Sequence, residues 1–165
     1  MGCRSVDMSK LLGFLDERAI VLDMKATTKE EAIRELLDVA VEQGELKAKD
    51  VGKVFELVME REQRGSTGLG AGIAIPHVKD CPGLSGLTGA LGRSSEGIPF
   101  DAIDGNPVHL VFLILGGSGT AGDHVEILKK LAALRMNEHF IRFLKDSKDL
   151  PSLVDTIREM SGSVA

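Results

Sequence analysis

The chain has no tryptophan, no tyrosine and only six phenylalanines. Proteins that hold single-stranded nucleic acid stack its bases on aromatic platforms, so this class of function is disfavoured. Charge points the same way. Lysine and arginine number 20 against 25 aspartates and glutamates, a net of −5, which suits a basic protein partner better than a phosphate backbone. Two cysteines, Cys3 and Cys81, are too few for a disulfide framework, and a reducing cytoplasm is the expected setting. No apolar run approaches the roughly 18 residues that cross a bilayer. The start, MGCRSVDMSK, lacks the apolar stretch of a secretory signal. What is present is 165 residues, 43% of them hydrophobic, enough for one domain with a core of leucine, isoleucine, valine and alanine. The expected limits are an N-terminal tail over residues 1–10, the domain over 11–160 and a C-terminal tail over 161–165.

Glycine is plentiful, and its placement organises the chain. Gly65, Gly68, Gly70 and Gly72 fall within Arg61 to Lys79, REQRGSTGLGAGIAIPHVK. Glycine permits positive φ and close backbone approach, so this stretch reads as a loop wrapped around something. Ile73-Ala74-Ile75 is strand-like, and Pro76 ends regular pairing, which predicts His77 at a strand terminus facing a cleft.

Elsewhere the apolar periodicity sets the elements. Leu11 to Leu15 reads as a short helix or packed lead-in, and Ala19 to Met24 as a modest strand. Thr28 followed by Glu31 is a capping box opening a helix that Gly44 stops. A second helix is predicted from Ala48 to Gln63, placing Arg61 in its last turn. Leu87 to Leu91 is a short strand. Val108 to Leu115, VHLVFLIL, is apolar on both faces, which predicts a central strand covered on both sides. A second glycine loop, Gly116 to Gly122, feeds a helix from Asp123 to about Arg135, with Asp123 as N-cap and Glu126 reaching back. Two further helices are predicted near Glu138 to Lys145 and Leu150 to Met160. The pattern is that of a single α/β domain, a mixed sheet flanked by helices on both faces in a three-layer sandwich.

Strand, glycine loop and helix N-terminus form a recurrent anion-binding arrangement, because unpaired backbone N–H groups and the helix dipole favour negative charge. His124 lies at that helix start. If both strands end at one rim, His77 and His124 meet there with Arg61, a combination suited to carrying a phosphoryl group on imidazole. Neutral imidazole is a competent nucleophile near pH 7, and one ring nitrogen can be anchored while the other attacks. Arg61, the hydroxyls of Ser66 and Thr67 and the backbone at Gly68 and Gly70 are candidate donors to the transferring group.

Each residue also has an ordinary reading. A histidine after proline is commonly a surface or capping residue, His124 can be a plain helix start, and Arg61 suits a helix C-terminus. Ser66 and Thr67 often satisfy their own loop. His109 and His139 are assigned to structure. The glycine stretch lacks the G-K-[ST] of a Walker loop and the spacing of a dinucleotide fingerprint. Two distant histidines without a third ligand make a metal-dependent hydrolase a weak alternative, and no metal or cofactor is expected.

Taken together, Arg61-Glu62, Ser66-Thr67-Gly68-Leu69-Gly70 and Gly72-Ile73-Ala74-Ile75-Pro76-His77 resemble the signature of enzyme IIA of the fructose/mannitol type. These are phosphocarriers of the bacterial phosphoenolpyruvate-dependent sugar phosphotransferase system. The resemblance extends to Pro107–Leu115 and to Asp123–Ala132. It implies a mixed sheet with flanking helices and phosphorylation of His77 by the phosphocarrier HPr or its nitrogen-branch paralogue. It also implies a supporting role for His124 and for Arg61, and onward transfer to an enzyme IIB or signalling to regulatory targets. The strings Gly-Ser-Thr-Gly-Leu-Gly and Gly-Ile-Ala-Ile-Pro-His look more like the nitrogen-regulatory branch than the sugar-transport branch. Two departures stand out. Val78 follows the Pro-His pair where the family often has a small residue, and the loop GGSGTAG lacks the usual Ala-Pro start.

Overall fold

The computed structural model describes residues 17–84 and 86–163. The expected lead-in at Leu11 to Leu15 and the tail over residues 1–10 lie outside the described residues. A 3-10 turn, Glu17–Ala19, leads into β1, Ile20–Val21. Then come α1, Lys29–Glu42, a 3-10 turn at Ala48–Asp50, and α2, Val51–Gln63. Three short strands follow: β2, Gly68–Gly70; β3, Ile73–Ala74; and β4, His77–Val78. Two long strands, β5 at Leu87–Ile98 and β6 at Val108–Gly116, precede α3, Ala121–Leu134. The chain closes with α4, Glu138–Asp146, and α5, Leu150–Ser163. The last helix thus continues three residues into the stretch expected as a tail.

The sheet order is β1-β5-β6-β3-β2, with β4 also paired to β6. β5 and β6 are antiparallel, while β3 and β4 both run parallel to β6. β6 is the central strand that its composition predicts, and its side chains alternate between two cores. Leu110, Phe112 and Ile114 pack with Ile127, Leu131, Phe140, Leu144 and Leu153 of α3 to α5. Val111, Leu113 and Leu115 pack with Ile33, Leu36, Leu37, Val54 and Val58 of α1 and α2. A strand alternates its side chains with period two, so apolar residues at every position require cover on both faces. Each fully buried leucine or isoleucine contributes roughly 1.5–3 kcal/mol, and β6 is therefore the most heavily anchored element.

α1 starts as its sequence predicts. The Thr28 side chain accepts from the Glu31 N–H at 3.2 Å, and the Glu31 carboxylate returns to the Thr27 N–H at 2.9 Å. The reciprocal bond is thus one residue earlier than in a standard capping box. β5 differs from expectation, running to Ile98 rather than stopping at Leu91. Its second half, Gly92 to Gly97, is polar and glycine-containing, but the ladder with β6 carries on through Arg93↔Leu110 and resumes at Ile98↔Val108 after a register shift. Tertiary pairing outweighs weak intrinsic strand propensity there.

Candidate active site

Two parallel strands and one helix converge at the C-terminal end of β6. Pro76 has no N–H to give the ladder, yet its carbonyl accepts from the Ile114 N–H at 3.0 Å. Pairing resumes immediately, with His77 beside Ile114 and Val78 beside Leu115. His77 therefore opens a two-residue strand instead of ending one, because the proline interrupts the ladder without turning the chain away. From Gly116 the chain crosses the second glycine loop into α3.

α3 starts two residues earlier than the sequence suggests. Thr120 occupies the cap position without a side-chain cap bond; its hydroxyl instead donates to the Gly117 carbonyl at 2.7 Å. Asp123 therefore lies inside the first turn and is not the N-cap. The His124 N–H makes the first intrahelical bond, to the Thr120 carbonyl at 2.9 Å, so the amides of residues 121–123 have no intrahelical acceptor. The loop lies tightly against the histidine. A Cβ on Gly116 would come within 2.9 Å of both His124 Nδ1 and Thr120 Oγ1, so the absence of the Ala-Pro start leaves His124 closely placed.

The two imidazoles meet. Their ring centroids are 5.5 Å apart with planes inclined at 57°, and both rings line one cavity of about 390 Å³. Arg61 lines it too, and its Nη1 donates to the Gly65 carbonyl at 2.9 Å, fixing the guanidinium at the end of α2.

Each imidazole has a definite electrostatic state. His77 is half-buried, and its Nδ1 lies 2.7 Å from the Ile75 carbonyl. A carbonyl only accepts, so Nδ1 carries the hydrogen and Nε2 keeps its lone pair. Burial holds the His77 pKa below its ordinary value; the Ile75 bond opposes this, while Arg61 adds to it. His124 is 3% exposed, and neither ring nitrogen has a hydrogen-bond partner among the described residues. Burial, then the neighbouring His77 and Lys79, push its pKa down to about 4, with Asp80 opposing. Both rings are therefore neutral at pH 7. Two unsatisfied buried nitrogens normally cost stability; here they belong to a ring that lines a cavity beside a helix N-terminus, an arrangement complementary to an anion.

The first glycine loop is used differently. Ser66 donates to the Phe100 carbonyl and accepts from the Gly68 N–H at 3.0 Å. Thr67 donates its hydroxyl to Glu62 and its N–H to the same carboxylate at 3.2 Å. Glu62 is itself buried and pairs with Lys29 at 3.0 Å. Gly70 faces the Asp104 carboxylate and Gly68 faces Ala102. None of Ser66, Thr67, Gly68 and Gly70 lines the cavity around His77. Their polar groups are consumed by the loop itself, so the structure does not bring them to the histidine pair.

Other residues do reach it. Leu57, Glu60, Arg61 and Arg64 line the cavity from α2 and its C-cap, and Val78, Lys79, Val125 and Leu128 complete it. The spacing 57/60/61/64 is that of one helical face, a signal present in the sequence once Arg61 is placed at the site. His109 donates from Nδ1 to the Ser94 carbonyl at 2.8 Å, and His139 is exposed on α4. Burial and Asp50 push the Cys81 thiol up to about 11, so it is no thiolate nucleophile. Among the described residues, no group of three or more His, Cys, Asp or Glu is placed to hold a metal ion.

Residues 13–160 match the family described as "Phosphoenolpyruvate-dependent sugar phosphotransferase system, EIIA 2". The chain belongs to that family. This EIIA chain is 34% identical over 139 residues to a nitrogen regulatory protein of Bradyrhizobium diazoefficiens, covering 84% of this chain and 88% of that one. It is 38% identical over 141 residues to a fructose-specific EIIA component of Haloferax volcanii, covering 86% and 90%. A fructose-specific EIIABC component of Bacillus subtilis is 33% identical over 150 residues, covering 91% of this chain, but the match spans only 23% of that protein's length. Among solved structures, the nitrogen regulatory protein IIA-Ntr of Neisseria meningitidis superposes with a TM-score of 0.77 at 34% identity, covering 86% of this chain and 94% of that one. This EIIA chain is thus a phosphotransfer protein with the family's α/β fold. None of its described helices is long and apolar enough to cross a membrane.

Proposed function

We propose that this EIIA chain carries a phosphoryl group on Nε2 of His77. The observation that carries the reading is the pairing of His77, whose Nδ1–H is held by the Ile75 carbonyl, with a buried, unpartnered His124 at 5.5 Å. The Nε2 lone pair attacks phosphorus of a donor phosphohistidine. The donor's N–P bond breaks, and its imidazole leaves with the electron pair. Nε2 carries no proton at the outset, so no general base is needed. Negative charge on the three transferring oxygens meets the Arg61 guanidinium, the first amides of α3 and one N–H of neutral His124. Because its pKa lies near 4, His124 acts as a hydrogen-bond donor in this step rather than as a base. The apolar walls, Leu57, Val78, Val125 and Leu128, give a docking carrier a surface from which water is excluded.

The donor is HPr or its nitrogen-branch paralogue, and the acceptor side is regulatory: the phosphorylation state is read by target proteins. The motif strings around Ser66 and Pro76 support that branch, as does the 34% identity to IIA-Ntr across most of both chains. A second reading, transfer to an enzyme IIB for sugar uptake, is supported by the fructose-specific relative at 38% identity. Incubation with phosphoenolpyruvate, enzyme I and either carrier is expected to add one acid-labile phosphate, absent in His77→Ala. Label retained in that variant would place the site elsewhere. Faster labelling from the nitrogen-branch carrier favours the regulatory reading, and rapid discharge to an enzyme IIB favours transport.

A further inference from the structure

A second cavity, of about 450 Å³, opens at the opposite end of the same strands, between the β2–β3 turn and α4. Its floor is Gly72 and His109. The Gly72 carbonyl accepts from the N–H groups of both His109 and Leu110, at 2.8 and 2.9 Å, which ties the starts of β3 and β6 together there. Its wall is α4, which contributes Arg142 and Lys145.

Three features make this cavity a prepared site. The rim is held in a costly conformation: Gly70, Ala71 and Gly72 have φ of 90°, 56° and 79°, and the middle residue is not glycine. The Asp104 carboxylate accepts from the Ala71 N–H at 3.2 Å and fixes that shape. Left-handed backbone at a non-glycine residue costs of order 1–3 kcal/mol and clusters at ligand sites. Second, Gly72 leaves a gap: a Cβ there would be 3.7 Å from the His109 ring and 4.0 Å from Lys145 Nζ, so ammonium and imidazole flank one empty point. Third, the cations are uncommitted. Arg142 has Glu138 and Asp146 four residues to either side, yet among the described residues neither Arg142 nor Lys145 has a side-chain hydrogen bond or ion pair. Both line the cavity, together with the carboxylates of Asp104, Glu138 and Asp146.

We propose that this cavity binds a small carboxylate bearing a neighbouring hydroxyl or ammonium group. The carboxylate faces Lys145 and Arg142. The neighbouring donor faces Nε2 of His109, which is an acceptor because Nδ1 of that ring donates to Ser94. β3 and β6 run in register from Ile73↔Leu110 at this end to the His77↔Ile114 pairing beyond Pro76, so occupancy here bears on the strands that position His77. The inference does not depend on the phosphocarrier reading.

Titration of L-malate, L-glutamate and succinate into the ¹⁵N-labelled full chain tests it. Succinate has the carboxylates but no adjacent donor. Malate or glutamate is expected to shift the amides of Gly72, His109, Arg142 and Lys145, and succinate to bind at least tenfold more weakly. Which of the two binds identifies the donor as hydroxyl or ammonium. In Arg142→Ala/Lys145→Ala, an exposed pair whose unchanged melting temperature serves as the folding control, those shifts are expected to vanish. The proposal is overturned if none of the three compounds shifts those amides, if binding persists in the double variant, or if succinate binds as well as the others.

Discussion

The two glycine loops of this chain share a composition but have opposite fates. The first runs from Ser66 and Thr67 into Gly68 and Gly70, which the structure places in β2, and nearly every polar group it offers is already spent. Ser66 bridges Phe100 and Gly68, while Thr67 binds Glu62, which in turn pairs with Lys29. The loop after β6 has no side-chain cap on α3 and abuts a histidine with both nitrogens unpartnered. A satisfied loop is a strut; an unsatisfied one beside a reactive side chain is a receptor. Glycine content alone does not separate them, but the hydrogen-bond inventory does.

The contrast can be broken by substitution. His124→Ala removes a donor from developing charge, and a loss of roughly 10²–10³ in phosphoryl transfer rate is expected, measured as discharge of labelled carrier. Its melting temperature is expected to hold, because two buried unsatisfied atoms leave with the ring. A full-rate variant would make the second loop as passive as the first. Glu62→Ala should do the reverse. Removing one partner of a buried pair costs about 3 kcal/mol, read by urea unfolding, and it strands the Thr67 amide; intact stability would show that the strut carries no weight. Gly116→Ala forces a methyl within 2.9 Å of His124 Nδ1, so slower transfer is expected with a smaller loss of stability. Thr67→Val removes a single hydroxyl bond and should cost about 1 kcal/mol of stability with little change in transfer rate.

The contrast is sharpened by pH dependence. The folded pKa of His124 is lowered from 6.5 to about 4, so the unfolded chain takes up a proton first as pH falls. The stability that this group contributes is full above pH 6.5 and is lost progressively down to about pH 4, roughly 3 kcal/mol in all. Stability curves of wild type and His124→Ala should therefore run together above pH 6.5 and separate across that window, wild type losing the more as pH falls; parallel curves would show that His124 titrates normally.

Much of the scaffold was readable before any coordinates. β6 declares itself by an unbroken apolar run, α1 by Thr28 and Glu31 with helical spacing behind them, and α4 by its amphipathic period. What was not readable depends on partners distant in sequence. The polar half of β5 is a strand only because β6 lies beside it, and β4 is a strand despite Pro76 because its ladder partner continues. At the site, His77, His124 and Arg61 stand out by motif and resemblance, and the fold brings them together. Ser66 and Thr67 looked equally suitable, since sequence cannot show that Phe100 and Glu62 take their bonding capacity. Arg64 and Lys79 carry no motif and reach the cavity through helix face and strand end.

The most direct test is ¹⁵N NMR of histidine-labelled protein before and after phosphorylation, which reports the nitrogen bonded to phosphorus and the state of every ring. Phosphorus on Nε2 of His77, with a large shift of the His124 ring and none at His109, is the expected result. Phosphorus on Nδ1, or an unresponsive His124, would contradict a shared pocket for the two imidazoles.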